Sequence, residues 1–402
     1  MTSAAILKTF VNTSIHASIS KVAFERYDLN IPLVELSEIN KVDFVFYECI
    51  YDYTVPFNEY LSELTLPVEI ESRVKNHTAG ILINLANEGY ISILPDIYQF
   101  ADSRGIPRKN IFYVTGALGI PAINEAMLSS NKLVETDTIN VVRLQNCECY
   151  RVPSLPEITS SHIVKKFLCL NRVDKPHRLV MATYLHKHNI VDDSFLSYIG
   201  AHSSEQVLLE AELYSTGWID KQDFASVELL RPIFLDYTET ELGTENDTNP
   251  VVGSSIEPYF SKSVFSIVNE TFQTDLDSRY KDLPVVFPTD KSYKTFFFGH
   301  IPIINGGHHL VKYFRESGFD MFDDIVDHSY DNIVVGKDRL HAVCLEVSRL
   351  HERYSLNEVK ALKERLTERL AANQARLANR QGNFFKVFLS DFQTALSSVN
   401  KY

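Results

Sequence analysis

The chain has 402 residues, which at ~100–200 residues per domain predicts two domains. Its 45% hydrophobic and 23% charged residues exclude a disordered chain and are enough to build a sizeable core. A formal net charge of -13 argues against a protein that coats nucleic acid through a basic surface, while leaving room for a few Arg and Lys residues grouped on a phosphate.

The start, Met1-Thr2-Ser3-Ala4-Ala5-Ile6-Leu7-Lys8, lacks the charged opening and apolar run of a signal peptide. No run of about 18 apolar residues follows, so the expectation is no membrane span and a cytoplasmic location, the host cytoplasm for a viral gene. Residues 42–47 read as a short strand and 80–86 as a buried one, with Asn87-Glu88-Gly89 as its turn. A helix over 93–104 stops at Gly105 and Pro107, and 110–116 gives another strand and turn. Strand, helix, strand is the rhythm of a parallel sheet. Cys147 and Cys149 form C-x-C without a second metal-spaced pair, so they and Cys49, Cys169 and Cys344 read as reduced thiols. Two prolines and three serines in 150–161 mark a linker.

Beyond the linker the pattern restarts. Residues 166–171 predict a strand, 172–177 a loop and 178–188 a helix with Pro176 near its first turn. Residues 239–250 read as an exposed loop, 264–268 as a strand, 292–298 as a helix ended by Gly299, 301–304 as a strand, and 309–317 as a helix stopped by Gly318. From Ser355 the tail is helical, opened by the capping box Ser355-x-x-Glu358 and ending near Gly382. Phe384, Phe385, Val387, Phe388 and Phe392 then form an apolar stretch expected to pack back on a domain. The predicted organisation is α/β: residues 1–155, residues 162–355, and C-terminal helices over 356–402.

Three places carry candidate chemistry. Asn171-Arg172 to Arg178 follows a strand and opens a helix, where free N–H groups and the cations of Arg172, Lys175 and Arg178 suit a phosphate; the same residues also suit a solvated basic loop. Pro288 to Gly307 repeats that placement. Thr289 and Asp290 serve a helix start there, or Asp290 accepts from a ribose diol while Lys291 meets a diphosphate, with Gly306 and Gly307 permitting close backbone approach. Glu88, at the end of an N-domain strand, is a candidate base for an acceptor hydroxyl or a plain turn acid; Glu48 and Asp52 are weaker candidates.

The second place resembles the donor-site signature of fucosyltransferase-like enzymes: Thr289-Asp290-Lys291, a helix, then Gly299-x-x-Pro302-Ile-Ile-x-Gly306, where the family has Thr-Glu-Lys and Gly-x-x-Pro-Val. The upstream Phe265-Ser-Ile-Val-Asn269-Glu270 resembles the strand and Glu-containing turn that precede it. Residues 162–350 resemble glycosyltransferase-like proteins of large tailed phages and viruses, in Asn171-Arg172, in Pro176-His177-Arg178 and in the run from Leu310 through Gly318-Phe319 to Asp327-His-Ser-Tyr-Asp331. The resemblance implies a GT-B architecture, two Rossmann-like domains facing across a cleft with C-terminal helices returning to the body. It implies a ribose contact at Asp290, a phosphate contact at Lys291, and donor-site roles for Asn171, Arg172, Arg178, Asn269, Glu270, Thr289, Gly306 and Gly307. The sequence departs from the family pattern in having Asp290 for Glu, one methylene shorter, and His308-His309 after the last strand.

The expected function is transfer of a sugar from a nucleoside-diphosphate sugar to a hydroxyl of a glycan or a modified nucleic-acid base, inverting and independent of metal or other cofactor. The alternatives are a catalytically degenerate nucleotide- or glycan-binding protein on the same fold, and a virion structural protein. No G-x-x-x-x-G-K-S/T, G-x-S-x-G or H-E-x-x-H motif occurs, and His186-x-His188 and His308-His309 lack further ligands at metal spacing.

Overall fold

The computed structural model describes residues 4–7, 33–34, 37, 43–50, 57–85, 93–118, 124, 138–143, 155–160, 162–201, 205–230, 233, 257–271 and 286–399. The chain divides into two compact units, one of residues 1–146 with 382–402 and one of residues 147–381. Both are parallel α/β structures compatible with a Rossmann-like fold. No helix among the described residues is long and apolar enough to cross a membrane.

The first unit holds strands β1 (Ala4–Leu7), β2 (Leu33–Val34), β3 (Phe44–Ile50), β4 (Ala79–Leu85), β5 (Ile111–Thr115) and β6 (Asn140–Arg143), in the order β2-β1-β3-β4-β5-β6. Its helices are α1 (Phe57–Glu63), α2 (Val68–Lys75) and α3 (Leu94–Ser103). Strands β3, β4 and β5 are apolar on both faces, as a sheet covered by helices requires. Phe46 lies edge-on to Phe112, with ring centroids 5.0 Å apart, and Phe392 from the C-terminal helix sits 5.0 Å from Phe46. Arg143 fixes that helix through a two-pronged pair with Asp391, at 2.7 and 2.9 Å. Phe392 therefore packs on the first unit, whereas Val387 is 40% exposed.

The second unit holds β7 (Phe167–Val173), β8 (Ser194–Ala201), β9 (Phe265–Asn269) and β10 (Ile301–Asn305), in the order β10-β9-β7-β8. Helices α4 (Pro176–Lys187), α5 (Glu205–Tyr214), α6 (Lys221–Glu228), α7 (Glu257–Ser261), α8 (Asp290–Phe297), α9 (Leu310–Glu316), α10 (Gly336–Arg353) and α11 (Leu356–Arg365) accompany it. The last helix, α12 (Thr367–Val399), starts in this unit and ends in the first. Leu340, Val343, Val347 and Leu350 of α10 are fully buried at helical spacing. The Ser355–Glu358 capping box forms as expected. The end expected near Gly382 does not occur: α12 is helical on both sides of it. A mid-helix glycine costs only about 1 kcal/mol, and Leu370, Leu377, Phe392, Ala395 and Val399 bury the helix on either side.

The strand predicted at 42–47 begins and ends later, and the helix predicted at 178–188 starts two residues earlier, at Pro176, whose ring fixes φ for a first helical position. The helix predicted at 292–298 likewise starts earlier, at Asp290, because Thr289 caps it. The predicted loop at 239–250 and Cys147 and Cys149 lie outside the described residues. Cys49, Cys169 and Cys344 are free and buried.

Gly80 in β4 admits Phe112: a Cβ there would stand 2.7 Å from Phe112 Cε2 and 3.2 Å from Phe44 Cε1. Gly80→Ala is therefore expected to cost ~1–3 kcal/mol by overpacking, read as a lower midpoint in chemical denaturation.

Candidate functional site

In an open parallel sheet, ligands meet the carboxyl ends of the strands, where the following helices present their N-termini. In the second unit these ends carry three asparagines. Asn305 is level with Asn269 in the β10–β9 pairing. Asn305 Nδ2 donates to Asn269 Oδ1 at 2.8 Å, and Asn269 Nδ2 donates to Asn171 Oδ1 at 3.1 Å. All three are at most 1% exposed, so this amide ladder ties β10, β9 and β7 together at one level. Asn171 and Asn269 were legible candidates. Asn305 was missed, although the repeated signal is plain: each of the three strands places an Asn after an apolar residue, at Leu170-Asn171, Val268-Asn269 and Ile304-Asn305.

The turn after β9 gathers the basic residues. Arg178 Nη2 approaches the carbonyl of Asn269 at 3.5 Å, His177 Nε2 donates to the carbonyl of Glu270 at 2.9 Å, and Lys175 Nζ donates to the carbonyl of Thr271 at 3.2 Å. Local sequence explains the spray. Lys175 is held extended before Pro176, and Pro176 opens α4, so the next two side chains leave from the first helical turn. Burial, then the charges of Arg178 and Lys175, hold the His177 imidazole well below its ordinary pKa. Its ring is neutral near pH 7, with the proton on Nε2. Burial also disfavours the Arg178 guanidinium, which is 3% exposed, while the Glu270 and Asp290 carboxylates support it.

Glu270 itself is 0% exposed. Its carboxylate accepts from Thr289 N at 3.1 Å, from Ser292 Oγ at 2.6 Å and from Thr289 Oγ1, while its N–H donates to the carbonyl of Asn305 at 2.9 Å. Gly306 makes room for it. A Cβ on Gly306 would meet Leu310 Cδ2 at 2.5 Å and Glu270 Cβ and Cγ at 3.4 Å.

Thr289 caps α8 through the Lys291 N–H at 3.3 Å. The Asp290 carboxylate, 38% exposed, turns to Lys294 at 2.8 Å and Lys291 at 3.6 Å; burial opposes its charge, but the two ammonium groups outweigh it and lower its pKa. The Lys291 side chain is one-third exposed, and its ammonium contacts among the described residues are long, 3.4 Å to Thr271 Oγ1, 3.5 Å to Thr289 Oγ1 and 3.6 Å to Asp290. Lys175, Arg178 and Lys291 thus bring three cations to one turn, an arrangement able to hold an anion.

Other candidates stand elsewhere. Glu88 and Asp52 lie outside the described residues, as does the side chain of Arg172. Glu48 is 3% exposed and accepts from Asn84 Nδ2 at 2.9 Å. Gly307 accepts the Leu310 N–H through its carbonyl at 3.2 Å. His308 and His309 stack with centroids 3.7 Å apart, and His309 takes a left-handed φ of 66° before α9. The Asp327–Asp331 motif serves the backbone. Asp327 accepts the Ser329 N–H, Tyr330 Oη accepts the Ile304 N–H, and Asp331 accepts those of Val311 and Lys312. Among the described residues no group of three His, Cys, Asp or Glu could hold a metal ion.

A polar cleft of about 530 Å³, lined by Arg315, Asp323, Asp327, His328, Arg349 and Arg353 among others, contains none of the predicted donor-site residues, although the resembling run Asp327–Asp331 lines part of it. Arg315 is paired with Asp323 at 2.7 Å and Arg349 with Glu346 at 2.5 Å, so much of its charge is internally matched.

The chain matches no protein-family model and no curated protein.

His328, 5% exposed, bonds Tyr330 Oη at 2.7 Å and the carbonyl of Met321 at 2.8 Å. Burial pushes its pKa down to about 4. The unfolded chain takes this proton near pH ~6.5, so the stability His328 contributes is complete above that pH and is lost as the pH falls toward 4. Unfolding free energy is expected to drop by about 1.4 kcal/mol per pH unit from this group within that window. The slope, measured by denaturant titration at a series of pH values, should be shallower by that amount in His328→Gln.

Proposed function

We propose that the protein is a glycosyltransferase of GT-B type that binds a nucleoside-diphosphate sugar on its second unit. The observation that carries this reading is the Lys291 ammonium, partly exposed at the N-terminus of α8, whose contacts among the described residues are all 3.4 Å or longer, beside Lys175 and Arg178 on the same turn. A diphosphate offers the short, charge-assisted contacts that Lys291 lacks. In the proposed reaction an acceptor hydroxyl oxygen bonds to the anomeric carbon as the bond from that carbon to the diphosphate breaks. The cations take up the charge that develops on the leaving diphosphate, and the hydroxyl proton passes to a carboxylate base, for which Glu88, at the end of an N-domain strand, is the sequence candidate. The resemblance supplies inversion and independence from metal; it leaves the acceptor open, and a glycan or a modified nucleic-acid base is the acceptor a viral gene would suggest.

A second reading, a nucleotide-binding protein that has lost transfer, draws support from Asp290. Its short carboxylate is engaged by Lys294 at 2.8 Å, and a ribose diol would have to compete for it. Binding without release of nucleoside diphosphate from any donor sugar would favour this second reading.

A ligand that binds only the folded state raises its stability, by about 2.7 kcal/mol at a free concentration 100 times Kd. A panel of nucleoside diphosphates and their sugars should therefore raise the melting temperature of the wild type for one base. The shift should vanish in Lys291→Ala and shrink in Lys175→Ala. No shift with any nucleotide would remove the case for a donor site.

A further inference from the structure

Glu270 is closed off from solvent, so its carboxylate touches no ligand directly, yet every group that would do so is arranged around it. Its Oε2 accepts the hydrogen bond of the Thr289 hydroxyl. A hydroxyl has one proton to donate, so this bond leaves the Thr289 oxygen lone pairs facing the other way. They meet the Lys291 N–H at 3.3 Å and the Lys291 ammonium at 3.5 Å. Its Oε1 meanwhile anchors the same turn through Thr289 N and Ser292 Oγ. On the opposite side, the carbonyl of Glu270 receives His177, between the carbonyls that receive Arg178 and Lys175.

We propose that Glu270 is the positioning residue of the anion site, acting through the Thr289 hydroxyl to set the place of Lys291. The inference rests on reading the cations around the β9 turn as a diphosphate site. It makes a prediction opposite in sign to simple electrostatics. Removing a buried negative charge beside three cations would, by Coulomb's law alone, tighten an anion. In Glu270→Gln, by contrast, the amide oxygen can keep the Oε1 bonds, but the amide NH2 then faces Thr289 Oγ1 as a donor. The Thr289 proton has to turn toward Lys291, and one of the two lone pairs that Lys291 uses is lost.

The probe is inorganic pyrophosphate, titrated calorimetrically into wild type, Glu270→Gln, Lys291→Ala and the double variant, with melting temperatures recorded beside each. Wild type is expected to bind. Lys291→Ala and Glu270→Gln should each weaken binding by about tenfold, the scale of a lost charge-assisted contact. The double variant should be no weaker than Lys291→Ala, because both changes remove the same interaction. Thr289→Val, which keeps the shape and deletes the relay hydroxyl, should reproduce the loss and stands in if Glu270→Gln does not fold. Tighter or unchanged binding in folded Glu270→Gln, or a double variant whose losses multiply, would overturn the positioning role while leaving the diphosphate site intact. Failure of the wild type to bind pyrophosphate would overturn both.

Discussion

A carboxylate cut off from water must take its hydrogen bonds from protein, and in doing so it dictates the arrangement of whatever supplies them. Glu270 takes its bonds from the cap of α8, at Thr289 and Ser292, so the end of β9 and the start of α8 are one unit. Its backbone N–H binds the last residue of β10, and its carbonyl binds the second residue of α4. Asn269, one residue earlier, bonds laterally to β7 and β10. The dipeptide Asn269-Glu270 thereby joins three strands and two helix N-termini, and the three cations of the site hang from that junction.

What was legible in the sequence followed from local physics. Short apolar runs marked β4, β5, β7, β9 and β10, and a capping box marked the start of α11. The cations at 175, 178 and 291 could be picked because they stand where strands hand over to helices. The rest needed contacts between residues far apart in sequence. No local signal says that Glu270 turns inward onto Thr289, nineteen residues later, or that Arg339 donates to the carbonyl of Gly306. Strands as short as β1, β2 and β6 have too few residues to show a period, and they form because a neighbouring strand accepts them. Helix α10 was unread because its buried stripe of Leu340, Val343, Val347 and Leu350 is diluted by charged residues on the other face.

Motif resemblance and site geometry weigh differently here. The Asp327–Asp331 run looks like a functional signature, yet its side chains cap a 3-10 turn (His328–Asn332), cap α9 and support β10. A Cβ at Gly306 would press on Leu310 Cδ2 at 2.5 Å, a packing constraint that operates with or without a ligand. Lys291 is different, because the described residues give its ammonium only contacts of 3.4 Å or longer. The diphosphate site therefore rests on that ammonium and its neighbours, and the sugar transfer proposed there rests on the resemblance.

The central claim, that a diphosphate sits against the turn after β9, is tested most directly by a crystal structure with a bound nucleoside diphosphate. The account predicts phosphate oxygens about 2.8 Å from Lys291 Nζ, with Lys175 and Arg178 on the same group and Glu270 still bonded to Thr289. Phosphates seated instead among Arg315, Arg349 and Arg353 in the polar cleft, with Lys291 left at its long contacts, would contradict it.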